Sequence, residues 1–142
     1  MRIRRNALVK LFWQLHLDIY LWSKGRIGNF IRGLPILVLT TKGKKTGLTR
    51  KNALMYLPHG KDFVVIASNL GEEKHPAWWI NMMAEPTASV QIRDSHYAVR
   101  AREATETERE QLWQAIAERS SDYEQYRMWT SRRIPVVILE RQ

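Results

Sequence analysis

The sequence predicts a mainly antiparallel α+β fold, six strands with short helices between them and one long helix in front. Three observations lead there: after residue 33 strand-like segments follow one another in hairpin order, the strict strand–helix alternation of a parallel sheet is missing, and the first third reads as helix. No Gly-x-Gly-x-x-Gly occurs, which argues against a doubly wound dinucleotide fold. The 142 residues are about one domain's worth. They divide into a helical extension over residues 1–33 and a sheet domain over 34–142.

The elements follow in order. Leu8, Leu11, Phe12, Leu15, Ile19 and Trp22 recur at helical spacing, with Lys10, Gln14 and Asp18 as a narrow polar line. Trp13, Leu17, Tyr20 and Leu21 widen the apolar arc beyond what one core contact needs. Gln14, His16 and Asp18 interrupt the run, which is too short for a bilayer span and lacks a signal-peptide cleavage pattern. Two uses of this helix stay open, a partner subunit or an in-plane membrane contact with Arg2, Arg4, Arg5, Lys24 and Arg26 among anionic headgroups.

Strands are expected over residues 35–41, 51–57 and 62–68, the latter two joined tightly at His59-Gly60. Residues 75–84 read as a helix with Pro76 in its first turn and Trp79, Met82 and Met83 on one face, stopped by Glu85-Pro86. Ala88, Val90 and Ile92, then Tyr97, Val99 and Ala101, alternate with polar residues about Asp94-Ser95, as a hairpin with one wet face does. Thr105 and Glu108 have capping-box spacing before a helix with Leu112, Trp113 and Ile116 facing inward. An aromatic helix over Asp122–Trp129 and a strand over residues 134–139 close the chain.

Composition removes several chemistries. Without cysteine there is no disulfide, thiolate metal site or thiol nucleophile, and the four histidines share no i, i+4 spacing, so no metal is expected. Lys and Arg number 23 against 14 acidic residues, for a net charge of +9. The first fifty residues alone carry eleven basic residues and one acidic. An anionic partner is therefore expected in that third. No reading helix or aromatic RNA-binding motif accompanies the charge, so nucleic acid is not the partner expected.

The sharpest motif is Lys42-Gly43-Lys44-Lys45-Thr46-Gly47-Leu48-Thr49-Arg50 between two strands. Its glycines allow backbone N–H groups to turn outward, and its hydroxyl and cations complete the parts of a phosphate site. It is not a Walker loop. A basic hairpin tip that is merely solvated has the same composition. In Ala67-Ser68-Asn69-Leu70-Gly71 and Lys74-His75-Pro76-Ala77-Trp78 a strand ends in a polar turn before a helix N-terminus, a place for a flat ring. Tyr123, Tyr126 and Trp129 form an aromatic stripe that is either core or the mouth of a pocket. No Ser-His-Asp set or Gly-x-Ser-x-Gly appears, so hydrolysis is disfavoured, whereas hydride transfer asks the protein mainly to orient a redox cofactor.

Taken in order, these segments resemble the deazaflavin-dependent nitroreductase and quinone reductase family, which uses coenzyme F420. The likeness is carried by Leu-Thr-Thr-Lys-Gly-Lys-Lys-Thr-Gly with Arg50, by Ala-Ser-Asn-Leu-Gly with Lys-His-Pro-Ala-Trp, and by Tyr-x-x-Tyr before Thr-x-Arg-x-Ile-Pro-Val-Val. The resemblance implies a six-stranded split β-barrel related to FMN-binding barrels. It implies that Lys44, Lys45, Thr46, Gly47 and Arg50 hold the coenzyme phosphate, and that Ser68, Asn69, Leu70 and Gly71 line its ring with Pro76, Ala77 and Trp78 nearby.

By the same likeness Met55, Tyr123 and Tyr126 face the acceptor, and Ser68 and Tyr126 are the hydrogen-bond partners for charge that develops in the reaction. Lys44 stands where the family more often has arginine, so a point charge replaces a forked contact. Met55 and Ser120 stand where nitroimidazole-reducing relatives have tyrosine, which favours a quinone over a nitroaromatic acceptor. FMN in the same loop is the alternative cofactor. A homodimer, and a cytoplasmic location at the inner face of the cell membrane, complete the expectation.

Overall fold

The apolar run after Gly33 becomes the strand that organises the molecule. In a computed structural model that describes residues 6–142, the strands are β1 (Phe30–Ile31), β2 (Leu34–Lys42), β3 (Thr49–Met55), β4 (Leu57–His59), β5 (Asp62–Ile66), β6 (Thr87–Ile92), β7 (Ser95–Glu103) and β8 (Val136–Arg141). All pairings among them are antiparallel, in the order β1-β2-β6-β7-β8-β5-β4, with β3 also on β2.

The six strands expected are eight here, because one of them bends and a two-residue strand precedes the rest. β3 pairs with β2 from Lys42↔Thr49 to Ile36↔Met55. One residue later Leu57 pairs with Val64 of β5. Tyr56, whose N–H donates to the Pro35 carbonyl at 3.0 Å, is the corner. The chain thus passes from one end of the sheet to the other across a single residue, and the sheet curls into a split barrel. β1 crosses the expected boundary at residue 33, since Phe30 pairs with Pro35.

Alternation explains why β2 and β8 read as nearly continuous apolar runs. Leu37 and Leu39 point into the barrel with Val137 and Leu139, while Val136 and Ile138 pack outward against two helices and Ile36 and Val38 against a third. Those helices are α1 (Ala7–Trp22), α3 (Glu106–Arg119) and α4 (Asp122–Trp129); the short α2 (Ala77–Ala84) follows a 3-10 turn at Asn69–Gly71. α3 opens with the expected capping box, the Glu108 N–H donating to Thr105 Oγ1 and the Thr105 N–H to Glu108 Oε1. α2 starts at Ala77 with Pro76 as its N-cap, two residues later than expected. The hairpin turn is Arg93-Asp94, one residue earlier than expected: Ile92 pairs with Ser95, and Arg93 takes φ 54°.

α1 is turned differently from the simplest reading of its pattern. Only Leu17 and Tyr20 are buried, against Ile36 and Val38. The Tyr20 hydroxyl pins the helix, donating to the Ile36 carbonyl at 3.1 Å and accepting from the Arg93 N–H at 2.8 Å. Leu8, Leu11, Phe12, Leu15, Ile19 and Trp22 face solvent, Leu8 and Trp22 with 76% and 80% of their surface exposed. Among the described residues no helix is long and apolar enough to cross a membrane. Arg2, Arg4 and Arg5, expected among headgroups, lie outside the described residues.

Candidate active site

Where β3, the end of β5, the 3-10 turn and α4 meet, they leave an open groove of about 510 Å³. The 51–55 stretch of β3 forms one wall and Ile66, Ser68, Asn69 and Leu70 another. Pro76, Ala77 and Trp78 at the start of α2 and Tyr123 and Tyr126 of α4 complete it. Lys10, Trp13, Gln14 and Leu17 of α1 lie across it, so two residues of the helix's polar line, Lys10 and Gln14, turn toward the groove while its apolar stripe looks outward.

The groove wall depends on an uncommon backbone. Asn69, Leu70 and Gly71 are consecutive left-handed residues, with φ 47°, 56° and 76°. Two of them are not glycine, a conformation that neighbours must enforce. Gly71 itself does not face the groove. It is buried, and a Cβ there would meet the Tyr126 backbone, so its lack of a side chain lets the turn abut α4. Leu70 and Tyr126 are thereby brought onto one surface.

Three hydroxyls line this site. Ser68, Tyr123 and Tyr126 are all buried, and among the described residues none of these hydroxyls has a hydrogen-bond partner. Burial raises the Tyr123 phenol well above its ordinary range. Burial, with help from the Asp122 carboxylate and against the Arg32 cation, pushes Tyr126 up to about 12. Both phenols therefore stay protonated and able to donate. The Arg32 guanidinium grips the Asp122 carboxylate at the start of α4, which holds the two tyrosines over the groove.

The basic segment does not line the groove but runs straight into its β3 wall. Lys44, Lys45, Thr46, Gly47 and Arg50 are all exposed. The Gly43 N–H donates to Leu48 O at 2.7 Å and the Gly47 N–H to Gly43 O at 2.8 Å, while Thr46 Oγ1 accepts from the Leu48 N–H at 3.2 Å. Of the six N–H groups over residues 43–48, those of Gly43, Gly47 and Leu48 are committed to the loop's own shape and that of Lys44 to α2, while those of Lys45 and Thr46 have no hydrogen-bond partner among the described residues. Side-chain cations are left for an anion. Among the described residues no carboxylate forms an ion pair with Lys44, Lys45, Arg50 or Lys51, while Lys42 lies within electrostatic reach of Glu85.

The loop is held from α2 by a residue with no obvious motif signal. Asn81, buried, accepts the Lys44 N–H on Oδ1 at 3.0 Å and donates from Nδ2 to Thr41 Oγ1 at 3.4 Å. Its only sequence trace is an amide among Trp78, Trp79 and Met82, a polar residue on an apolar helix face. Lys10, Gln14, Lys51 and Asn52 also escaped motif reading and line the groove. Ser120 lies elsewhere, closing α3. Among the described residues no cluster of His, Cys, Asp or Glu could hold a metal.

Residues 12–141 match the model of the F420H(2)-dependent quinone reductase family. The chain belongs to that family. An F420H(2)-dependent quinone reductase of Mycobacterium tuberculosis (strain H37Rv) is 34% identical, over 99% of this chain and 96% of the relative. A solved F420-H2 dependent reductase is 39% identical with a TM-score of 0.69, covering 75% of this chain and 94% of its own. A second solved chain, described as a domain-swapped dimer, is 34% identical with a TM-score of 0.71 over 92% of this chain. The coenzyme of this quinone reductase family is F420, which takes precedence over the FMN alternative. The donor set fits it: cations without an ion-pair partner among the described residues for the acidic tail, and beside them a groove of about 510 Å³ for the ring.

Proposed function

We propose that the protein reduces a quinone by two electrons with reduced F420, and that Lys44, Lys45, Thr46, Gly47 and Arg50 hold the coenzyme's phosphate and acidic tail. The observation that carries this reading is the adjacency of a cationic loop and a groove with uncommitted hydroxyls, joined by β3. When bound, the deazaflavin supplies the hydride. Ser68, Asn69 and Leu70 would border its ring, with Pro76, Ala77 and Trp78 beside it. Gly71 supports this wall from behind.

Met55, Tyr123 and Tyr126 would receive the acceptor. As the acceptor oxygen gains negative charge, a protonated Tyr126 or the Ser68 hydroxyl donates to it, and the completing proton comes from solvent or from one of these hydroxyls. Trp13 and Leu17 of α1 line one side of the groove, which stays open to water. The Lys44 contact is a point charge, so it favours attraction over strict phosphate orientation. The test is direct: micromolar binding of F420, and oxidation of its reduced form in the presence of menadione, are expected. Failure of both ends the proposal.

The exposed stripe from Leu8 to Trp22 supports a membrane-surface position at the inner face of the cell membrane, where apolar quinones reside. Lys24 and Arg26 flank it with the right sign for anionic headgroups. Replacing Leu11 and Leu15 by serine should release the protein from anionic liposomes in a sedimentation assay, each lost side chain worth about 1.5 kcal/mol or more of insertion. Equal partitioning of both forms would remove the membrane role. A homodimer is the proposed assembly, supported by the domain-swapped dimer formed by a similar chain. Light scattering that gives a monomer's mass at all concentrations would remove it.

A further inference from the structure

Arg132 lies outside the groove yet holds its most strained wall. Its guanidinium donates through Nε to the Glu72 carbonyl at 2.8 Å and through Nη2 to the carbonyls of Ser68 at 2.8 Å and Ala67 at 3.2 Å. Nη1 lies 3.1 Å from His75 Nδ1. An arginine has only donors, so the imidazole must accept there and carry its proton on Nε2. Burial, and then the Arg132 cation, push the His75 pKa down, which keeps that nitrogen an acceptor.

These four acceptors bracket the segment from the end of β5 to the start of α2. Between them lie Asn69, Leu70 and Gly71, the three left-handed residues. Asn69 Nδ2 donates to the Lys74 carbonyl at 3.1 Å inside the loop. A second tie comes from the same side, the Ser131 N–H and Oγ donating to the Glu73 carboxylate at 3.1 and 3.0 Å. A planar fork with five donors satisfies several carbonyls in one geometry; an ammonium satisfies fewer and fixes none of their angles.

We propose that Arg132 is the positioning residue of the coenzyme site: it imposes the left-handed Asn69–Gly71 turn and so places Ser68, Asn69 and Leu70 against the ring without touching ring or acceptor. The proposal rests on the F420 reading for its ligand, but the conformation it invokes exists without any ligand. Strain at a binding wall is retained only where surrounding contacts over-determine it, and Arg132 brackets this wall with four contacts from one side chain.

The experiment compares wild type, Arg132→Lys and Arg132→Ala. Backbone chemical shifts of Asn69 and Leu70, measured without coenzyme, report the left-handed conformation. They are expected to move toward averaged values in R132K while the shifts of β2 and β8 stay put. The dissociation constant for F420, read by its fluorescence, is expected to rise at least tenfold in R132A and less in R132K. Added guanidinium at tens of millimolar is expected to restore R132A binding, and equal sodium chloride is not. The His75 titration midpoint is expected to rise in R132A, which removes the cation, and less in R132K, which keeps one.

The proposal is overturned if Asn69 and Leu70 keep their wild-type shifts in R132K. It is also overturned if folded R132A binds F420 as wild type does, or if guanidinium rescues no better than salt. Should R132A fail to fold, the R132K shifts decide alone. Should wild type bind no F420, the family-based ligand is at fault and the shift comparison still judges Arg132.

Discussion

A Cβ at Gly71 would lie 3.0 Å from the Tyr126 Cα and 3.1 Å from its carbonyl oxygen, so the turn that walls the groove and the helix that carries its phenols touch backbone to backbone. Gly71→Ala must both adopt φ +76° and push against α4. Backbone that cannot yield makes this costly, about 1–3 kcal/mol. The variant should unfold at lower temperature and bind F420 more weakly, since Leu70 and Tyr126 no longer share one surface. A G71A protein with wild-type melting and affinity would show that the contact relaxes freely.

Lys45 and Arg50 are exposed and, among the described residues, have no ion-pair partner, so each should contribute modestly and additively. Lys45→Ala and Arg50→Ala should each weaken F420 by roughly five-fold, about 1 kcal/mol, in keeping with exposed charge pairs. The loss should shrink as salt is raised, because screening already weakens the wild-type contact. Asn81→Ala removes no charge yet frees the Lys44 N–H and the loop with it. Its affinity loss should persist at high salt. Titration of all three at two ionic strengths separates charge from positioning.

Much of this arrangement was legible in the chain because its signals are local. The hairpin of β6 and β7 follows from alternation alone, the box at Thr105 and Glu108 from a spacing of three, and the loop from glycines among lysines. What was not legible depends on distant partners. Tyr56 closes the sheet only because β2 and β5 stand on either side of it. Arg132 meets carbonyls some 60 positions earlier, and its place in the Thr-x-Arg-x-Ile-Pro-Val-Val segment does not say which groups it meets. The orientation of α1 was ambiguous for a different reason: with apolar residues around most of its circumference, periodicity does not choose which arc packs. Tyr20, through two hydrogen bonds to β2 and the hairpin turn, chooses it.

Acid should loosen α3 before it disturbs the barrel. The Arg102 fork on the Glu108 carboxylate, together with the Thr105 N–H, lowers the Glu108 pKa from its ordinary 4.5 to about 2. A carboxylate depressed in the folded state contributes stability that is fully present above the unfolded value, here 4.5, and is lost as the pH falls through about 2. Wild-type melting temperature should therefore drop across that window. Glu108→Gln, which has no charge to lose, should start lower and show a flatter acid limb. Parallel limbs in the two proteins would remove Glu108 as their source.

Tyr126→Phe tests the chemistry with the least structural cost, because the hydroxyl it deletes has no hydrogen-bond partner among the described residues and the ring stays packed against Tyr123 and Trp129. Removal of a donor aimed at developing negative charge should lower kcat, by about ten-fold for a neutral phenol in a groove open to water. The KM for the quinone should change much less, since the interaction strengthens as the acceptor is reduced. With Tyr126 pushed up to about 12, the phenol remains protonated across the working range. Wild type should then show no basic limb from this group up to about pH 10, two units below that value. A tenfold loss confined to KM would instead make Tyr126 a binding contact, and would leave Ser68 as the donor.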